Sequence, residues 1–291
     1  VADSARGGVS RPAHAKVNLW LNVVGRRADG YHLLNSLVVF ADLADTICAA
    51  AADELTLDID AASRAPGATA LGAEPDNLVL KAARRLAERA GMAPRAALRL
   101  VKNIPVAAGL GGGSADAAAT LRALVALWRL ALSEDELFDI ARGLGADVPM
   151  CLAGRASIAT GIGEKLEAAP ALPPCAILLV NPGVAVATPA VFAARRGGFT
   201  VELPAPRAWT DLASLVEALA MRGNDLAPPA IALQPVIGDV LDRLRLTTGA
   251  RYVAMSGSGA SCFALYETKH EADSAASGLP AAWWRHAGVL A

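Results

Sequence analysis

Between His14 and Val24 apolar and polar side chains take turns: Ala15, Val17, Leu19, Leu21 and Val23 alternate with His14, Lys16, Asn18, Trp20 and Asn22. A period of two predicts a half-buried strand. Lys16 and Asn18 then share its polar face. Asp29-Gly30 in GRRADGYH is a turn signal, and LLNSLVVFADLADTI returns to strand-like residues, which predicts an antiparallel hairpin with a long loop ending at Tyr31 and His32. Residues 53–72, including RAPGATALG, read as irregular, a loop or a weak strand.

The period then lengthens. In PDNLVLKAARRLAERAG, Leu78, Ala82 and Leu86 fall on one helical face, with Asp76 or Asn77 as cap and Gly91 as stop. ALRLVKN is a short strand. After a glycine-rich loop, Ser114 is placed to cap a helix whose buried stripe is Ala117, Leu121, Leu124, Val125 and Trp128. SEDE at 133–136 is a capping box that opens a helix through Leu137, Ile140, Ala141 and Leu144, stopped by Gly145, with Asp147 directly beyond. GRASIATGIGEKLEAA reads as strand and turn, and APALPPC at 169–175 as a linker.

In the second half AILLVNPG is a strand, and TPAVFAARR a helix with Thr188 as cap and Pro189 at its first position. Residues 211–221 and 229–246 are helical. RYVAMSGSGASCFALYE is two strands around a Gly/Ser turn, followed by a helix from Thr268 and a last strand near HAGVL. This mixture of hairpins and helices predicts an α+β fold rather than a doubly wound sheet. The expected domains are 1–160 and 161–291.

The segment VAAGLGGGSADAAATL sets Gly109, Gly111, Gly112 and Gly113 within five positions. Glycine raises the entropy lost on folding, so such a run needs a reason. A dinucleotide loop would need G-x-G-x-x-G/A in a βαβ unit, and Ser114 stands at its last position; a Walker A loop needs G-K-[ST], and no Lys occurs between 103 and 164. What both share survives: glycines let backbone N–H groups converge on an anion, and the helix that follows adds its dipole. Phosphate is the natural guest, with a tight turn that merely needs small residues as the alternative. Taken singly, Lys16 reads as a solvated strand residue, Asp147 as a helix-end residue and Gly257–Gly259 as a hairpin turn.

At 291 residues, with 54% hydrophobic and 19% charged residues, the chain can bury a large core. Its net charge of −1, with Lys and Arg scattered, gives no electrostatic footprint for nucleic acid or an anionic membrane. Cys48, Cys151, Cys175 and Cys262 are far apart, as are the four histidines, so no zinc spacing occurs and buried reduced thiols are expected. No apolar run is long enough to span a bilayer, and VADSARGGVSRPAHAK lacks the apolar stretch of a secretion signal. The expected location is the cytoplasm.

Four motifs in order, P-A-x-A-K-x-N-L, P-x-x-x-G-L-G-G-G-S, L-G-A-D-V-P and S-G-S-G-A, resemble the GHMP kinases from about Pro12 to Tyr266. The K-x-N-L, A-D-G-Y-H and G-A-D-V-P set is similar to the branch that phosphorylates the 2-hydroxyl of a cytidylated methylerythritol in the non-mevalonate isoprenoid route. The resemblance implies a domain like the second domain of ribosomal protein S5, which binds ATP, and a ferredoxin-like C-terminal domain. ATP would be co-substrate with Mg2+. Pro105, Val106, Ala107, Ala108, Gly109, Leu110, Gly111, Gly112, Gly113, Ser114 and Ala115 would wrap its phosphates, with Asn77 and Lys102 on the nucleotide side and Ser114 near the metal.

Asp147 would take the acceptor hydroxyl's proton and Lys16 would neutralise charge. Tyr31 and Phe192 would stack on cytosine, His32 would bond its edge, and Asn18 and Thr188 would contact the rest. The implied partners are small molecules, without nucleic acid or membrane, in a monomer or weak homodimer. His14 stands where that family has Pro, Ala107 and Ala108 replace glycines, Ala115 replaces a second Ser, and no acidic magnesium ligand can be assigned. Three alternatives stay open at this point: a kinase for a sugar, homoserine or mevalonate-type alcohol, a non-catalytic RNA-binding module, and a nucleotide-binding regulator.

Overall fold

A computed structural model describes residues 8–60 and 76–290, and the chain divides into two compact units. The irregular reading of residues 61–72 lies outside the described residues. The first unit gathers residues up to Ala15, 44–106 and 111–154; the second gathers 16–43, 107–110 and 155–291. Two long strands, β1 (Val9–Arg26) and β2 (His32–Ala50), pair with each other and contribute residues to both.

In the first unit the elements after β2 are β3 (Leu55–Asp60), α1 (Leu78–Arg89), β4 (Ala96–Val101), α2 (Gly112–Trp128), α3 (Glu134–Arg142) and α4 (Val148–Ala153). β4 runs antiparallel to the end of β2, with Ile47 opposite Leu100, and parallel to β3. Its alternate residues Ala96, Leu98 and Leu100 are buried against Leu86 of α1 and Leu121 and Leu124 of α2. Burying each such Leu contributes about 2 kcal/mol. Asn77 caps α1, its Oδ1 accepting from Val79 N at 2.9 Å, and Ser133 with Glu136 forms a full capping box on α3. Both were legible from residue type alone.

The second unit adds β5 (Ser157–Gly161) and β6 (Lys165–Ala168), an antiparallel pair of which β5 also lies against Leu34–Val38 of β2. After β7 (Ala176–Asn181) come α5 (Thr188–Ala194), α6 (Leu212–Ala220), α7 (Ala227–Leu233), α8 (Val236–Arg245), β8 (Tyr252–Met255), β9 (Cys262–Tyr266), α9 (Lys269–Ser277) and β10 (Trp284–Val289). The four strands form an antiparallel sheet in the order β10-β7-β9-β8, on which α8 and α9 pack. Leu178 and Val180 of β7 share its core with Val240 and Leu244 of α8. The α+β expectation holds. Among the described residues no helix is long and apolar enough to cross a membrane.

Several local expectations change. β1 is buried on both faces from Ala15 to Val23, because protein rather than water covers its polar side. The predicted helix over 229–246 is two helices: Pro235 lacks the N–H that a continuous helix would use, and α7 stops at Leu233. α4, six apolar residues behind Asp147, carries too little periodicity to announce itself. Ser114 does not cap α2, since the N-cap is Gly111 in the left-handed region, and Thr188 is the first residue of α5 behind the N-cap Ala187. Cys175 and Cys262 are buried, and burial pushes the Cys175 thiol up to about 11, whereas Cys48 and Cys151 are only half-buried. The Ser133→Ala variant is expected to lose about 1 kcal/mol of stability in a urea titration, the usual worth of an N-cap hydroxyl.

Candidate active site

α2 begins without a side-chain cap, and its first internal bond runs from Ala115 N to Gly111 O at 2.9 Å. The N–H groups of Gly112, Gly113 and Ser114 therefore precede the helical ladder, at the positive end of a 17-residue helix with no acidic residue in its first turn. Free N–H groups at a helix start attract negative charge. The neighbouring glycines serve different ends. A Cβ on Gly112 would lie 3.2 Å from both Lys102 Nζ and Ile104 Cγ2, so its bareness makes room for what lies beneath. Gly111 has φ +64. Gly113 is exposed, has no positive φ, and a Cβ there would meet only Leu78 Cδ1 at 3.7 Å. Neither packing nor backbone conformation asks for glycine at 113.

Beneath this turn Lys102, 2% exposed, donates to Asp45 and, at 2.9 Å, to Asp116 Oδ2. Asp45 also accepts from the backbone N–H groups of Asn103 and Ile104. Burial works against the Lys102 ammonium, but Asp116 and Asp45 outweigh it and hold its pKa above the usual lysine value. Burial pushes the Asp116 carboxyl up to about 7, with Lys102 opposing the rise and Asp45 adding to it. The sequence reading missed Asp45 and Asp116. The available signal was a second carboxylate, after Asp42, in a largely apolar strand and another inside an Ala-rich helix.

Also in the first unit, Asp147 occupies the N-cap position of α4, half-buried and without a capping bond from its side chain. Pro105 is buried, Val106 half-buried and Ala115 buried within α2.

In the second unit Lys16 is 6% exposed and donates to Asn18 Oδ1 at 2.7 Å. Asn18 Nδ2 donates to Ser36 Oγ at 2.8 Å, and Ser36 Oγ to Trp20 O. A buried relay thus fixes the direction of the ammonium. The loop residues of this unit are held from behind: Lys16 N donates to Leu110 O at 3.0 Å, Ser256 Oγ to Gly109 O and Ser261 N to Ala108 O, both at 3.1 Å. A Cβ on Gly109, whose φ is +74, would stand 2.7 Å from Gly259 O and Ser256 O. Ala107 takes φ +54 despite its side chain, which explains why a glycine suits that position.

The Gly257–Gly259 turn also lies over the relay, since a Cβ on Gly257 would meet Asn18 Oδ1 at 3.2 Å. Ser258 Oγ is 2.7 Å from Thr188 Oγ1. His32 stacks on Phe192 with ring centroids 4.9 Å apart and planes at 21°. Tyr31, beside it, is 62% exposed. Burial lowers the pKa of His32 below 6.5, with Arg26 and Arg195 adding to the effect, so the ring is neutral at neutral pH. Lys16, Asn18 and the Gly257–Gly259 turn thus come together, as do His32 and Phe192, and Thr188 joins Ser258. Asn77 has its side chain occupied by its own helix.

Two family models match: the GHMP kinases N terminal domain over residues 77–155 and the GHMP kinases C terminal model over 203–285. A 4-diphosphocytidyl-2-C-methyl-D-erythritol kinase from Rhodospirillum rubrum is 51% identical, over 98% of this chain and 94% of that protein. The chain belongs to this family of GHMP kinases. A crystal structure of 4-(cytidine 5'-diphospho)-2C-methyl-D-erythritol kinase superposes with TM-score 0.80 at 39% identity, covering 97% of this chain and 98% of that one. The homoserine kinase of Cytophaga hutchinsonii, at 18% identity and TM-score 0.69 over 100% of this chain and 96% of its own, shares the fold alone.

Within this GHMP kinase the glycines can be separated by experiment. Gly109→Ala is expected to lose about 3 kcal/mol or more in chemical denaturation, since a methyl would collide with backbone at a left-handed position. Gly113→Ala should instead gain up to about 0.5 kcal/mol, as Ala is the better helix former, while its KM for ATP rises. Equal KM in Gly113→Ala and wild type would remove Gly113 from the ligand's path.

Proposed function

We propose that this kinase transfers the γ-phosphoryl group of ATP to the 2-hydroxyl of 4-diphosphocytidyl-2-C-methyl-D-erythritol, releasing ADP. The observation that carries the choice of acceptor is the 51% identity, over nearly the whole chain, to a kinase of that name. The open start of α2 supports the phosphate end of the reading. Phosphoryl transfer asks for in-line positioning and for charge to meet developing oxyanions. In this proposal Pro105–Ala115 wraps the phosphates, with the amides of Gly112, Gly113 and Ser114 as the donors.

The acceptor oxygen forms its bond to the γ-phosphorus while the bridging bond to the β-phosphate oxygen breaks. Asp147 accepts the hydroxyl proton or holds the hydroxyl in line, and Lys16, fixed by Asn18, balances negative charge on the transferring group. The Ser114 hydroxyl would be the protein contact for the magnesium ion accompanying ATP, which would supply positive charge against the phosphates. Tyr31, Phe192 and His32 receive cytosine, with the stacked His32–Phe192 pair opening or sliding to admit the base. Thr188 contacts the remainder of the acceptor. Asn77 serves the nucleotide side through the end of α1 that it caps.

Two measurements test this. ADP release with Mg-ATP is expected only with the cytidylated acceptor, not with galactose, homoserine or mevalonate, and is expected to fall at least about a hundredfold in Asp147→Asn. Turnover with another acceptor would sink the substrate assignment, and an unimpaired Asp147→Asn variant would sink the role of that carboxyl. The second follows from His32. A ring whose folded pKa lies below 6.5 gives its neutral-state contribution in full above that pH and loses it as pH falls through the folded value. The acceptor KM should therefore stay flat from about pH 8 down to 6.5 and rise in more acid solution, with the KM for ATP unmoved through the same range.

A further inference from the structure

The buried Lys102 cluster has no part in the chemistry above, yet its connections are specific. The loop enters α2 through Asn103 and Ile104, and both of their backbone N–H groups donate to Asp45 Oδ1. It leaves through the first turns of α2, where Asp116 receives Lys102 Nζ. Lys102 also donates to Asp45 Oδ2, so entry and exit are joined through one ammonium group, whose residue stands fourteen positions before Asp116. That ammonium lies directly under Gly112. A hydrophobic contact at the same place would leave the two ends free to slide; hydrogen bonds to an ion fix direction as well as distance.

We propose that Lys102, Asp45 and Asp116 form an ionic staple that sets the spacing between the two ends of the phosphate loop, which makes them positioning residues for ATP. The role rests on reading Gly112–Ser114 as the phosphate site. Lys102 then acts on the nucleotide through the loop, from the side away from the ligand. One arm of the staple is imperfect as a stabiliser, because Asp116 Oδ1 is buried without a hydrogen-bond partner. A buried carboxylate oxygen left unpaired works against folding. Its retention fits a task other than stability.

That imperfection supplies the test. Lys102→Ala would strand two buried carboxylates and can simply unfold the protein. Asp116→Leu does not: it leaves Lys102 paired with Asp45, removes the unpartnered oxygen and fills the space with apolar atoms of similar size. The full-length Asp116→Leu protein is expected to melt at or above the wild-type temperature, to bind Mg-ATP about tenfold or more weakly in titration calorimetry, and to keep its acceptor KM. Asp116→Asn, which retains an oxygen for Lys102 to donate to, should recover most of the lost affinity. Asp116→Leu that binds Mg-ATP as wild type does, or that fails to fold, would overturn the staple. A wild-type protein that does not bind Mg-ATP would instead defeat the phosphate-site reading itself.

Discussion

A helix can offer its first amides to an anion only while no side chain of its own reaches them, and the surroundings of α2 are arranged around keeping that end open. A Ser, Asp or Asn one residue earlier would have satisfied those donors. The chain instead has Gly111 in a left-handed conformation, which turns the backbone into the helix and contributes no oxygen. A glycine cap gives up only about 0.3 kcal/mol relative to Ser, Asp or Asn, and α2 shares a large apolar core with α1 and β4.

The loop ahead of that helix is held in a complementary way. Gly109, Ala108 and Leu110 present carbonyl oxygens that accept from Ser256, Ser261 and Lys16. Acceptors are thereby consumed at the back of the loop while donors stay available at the start of the helix. The Gly/Ser turn after β8 does this with the Ser256 hydroxyl and the Ser261 backbone N–H, and its glycines let the backbone close against Gly109. Lys16 is tied through Asn18 to Ser36, so a side chain with four rotatable bonds behaves as a fixed charge.

Much of this was legible beforehand, and the gaps have physical causes. The capping box at Ser133 and the cap at Asn77 are local chemistry, so residue type suffices to read them. The glycine run pointed to phosphate, although it could not reveal that Gly109 answers to Ser256 and Gly259 far along the chain, nor that Gly112 makes room for Lys102 and Ile104. Alternation in β1 identified the strand but not its burial, because polar residues bonded to one another look the same in sequence as polar residues bonded to water. Asp45 was hidden for a related reason: its partners Lys102, Asn103 and Ile104 lie 57 to 59 residues away. Where residues depend on distant partners, spacing along the chain carries no trace of them, and only the family resemblance suggested roles for Asp147 and Thr188, which local chemistry had marked as a residue beyond a helix stop and a cap.

The two units are interleaved in sequence, and this bears on how the protein is made. Residues 16–43 leave the ribosome early, yet Val23 N donates to Asp225 Oδ2, two hundred and two residues later, and Asn18 N to Ser256 Oγ, two hundred and thirty-eight later. A strand that is buried along its whole middle must therefore wait through most of synthesis before some of its polar groups find their partners. Vectorial folding can complete most of the first unit once residue 154 has emerged, but the Asn18 that holds Lys16 acquires its bond to Ser256 only when the C-terminal sheet has formed.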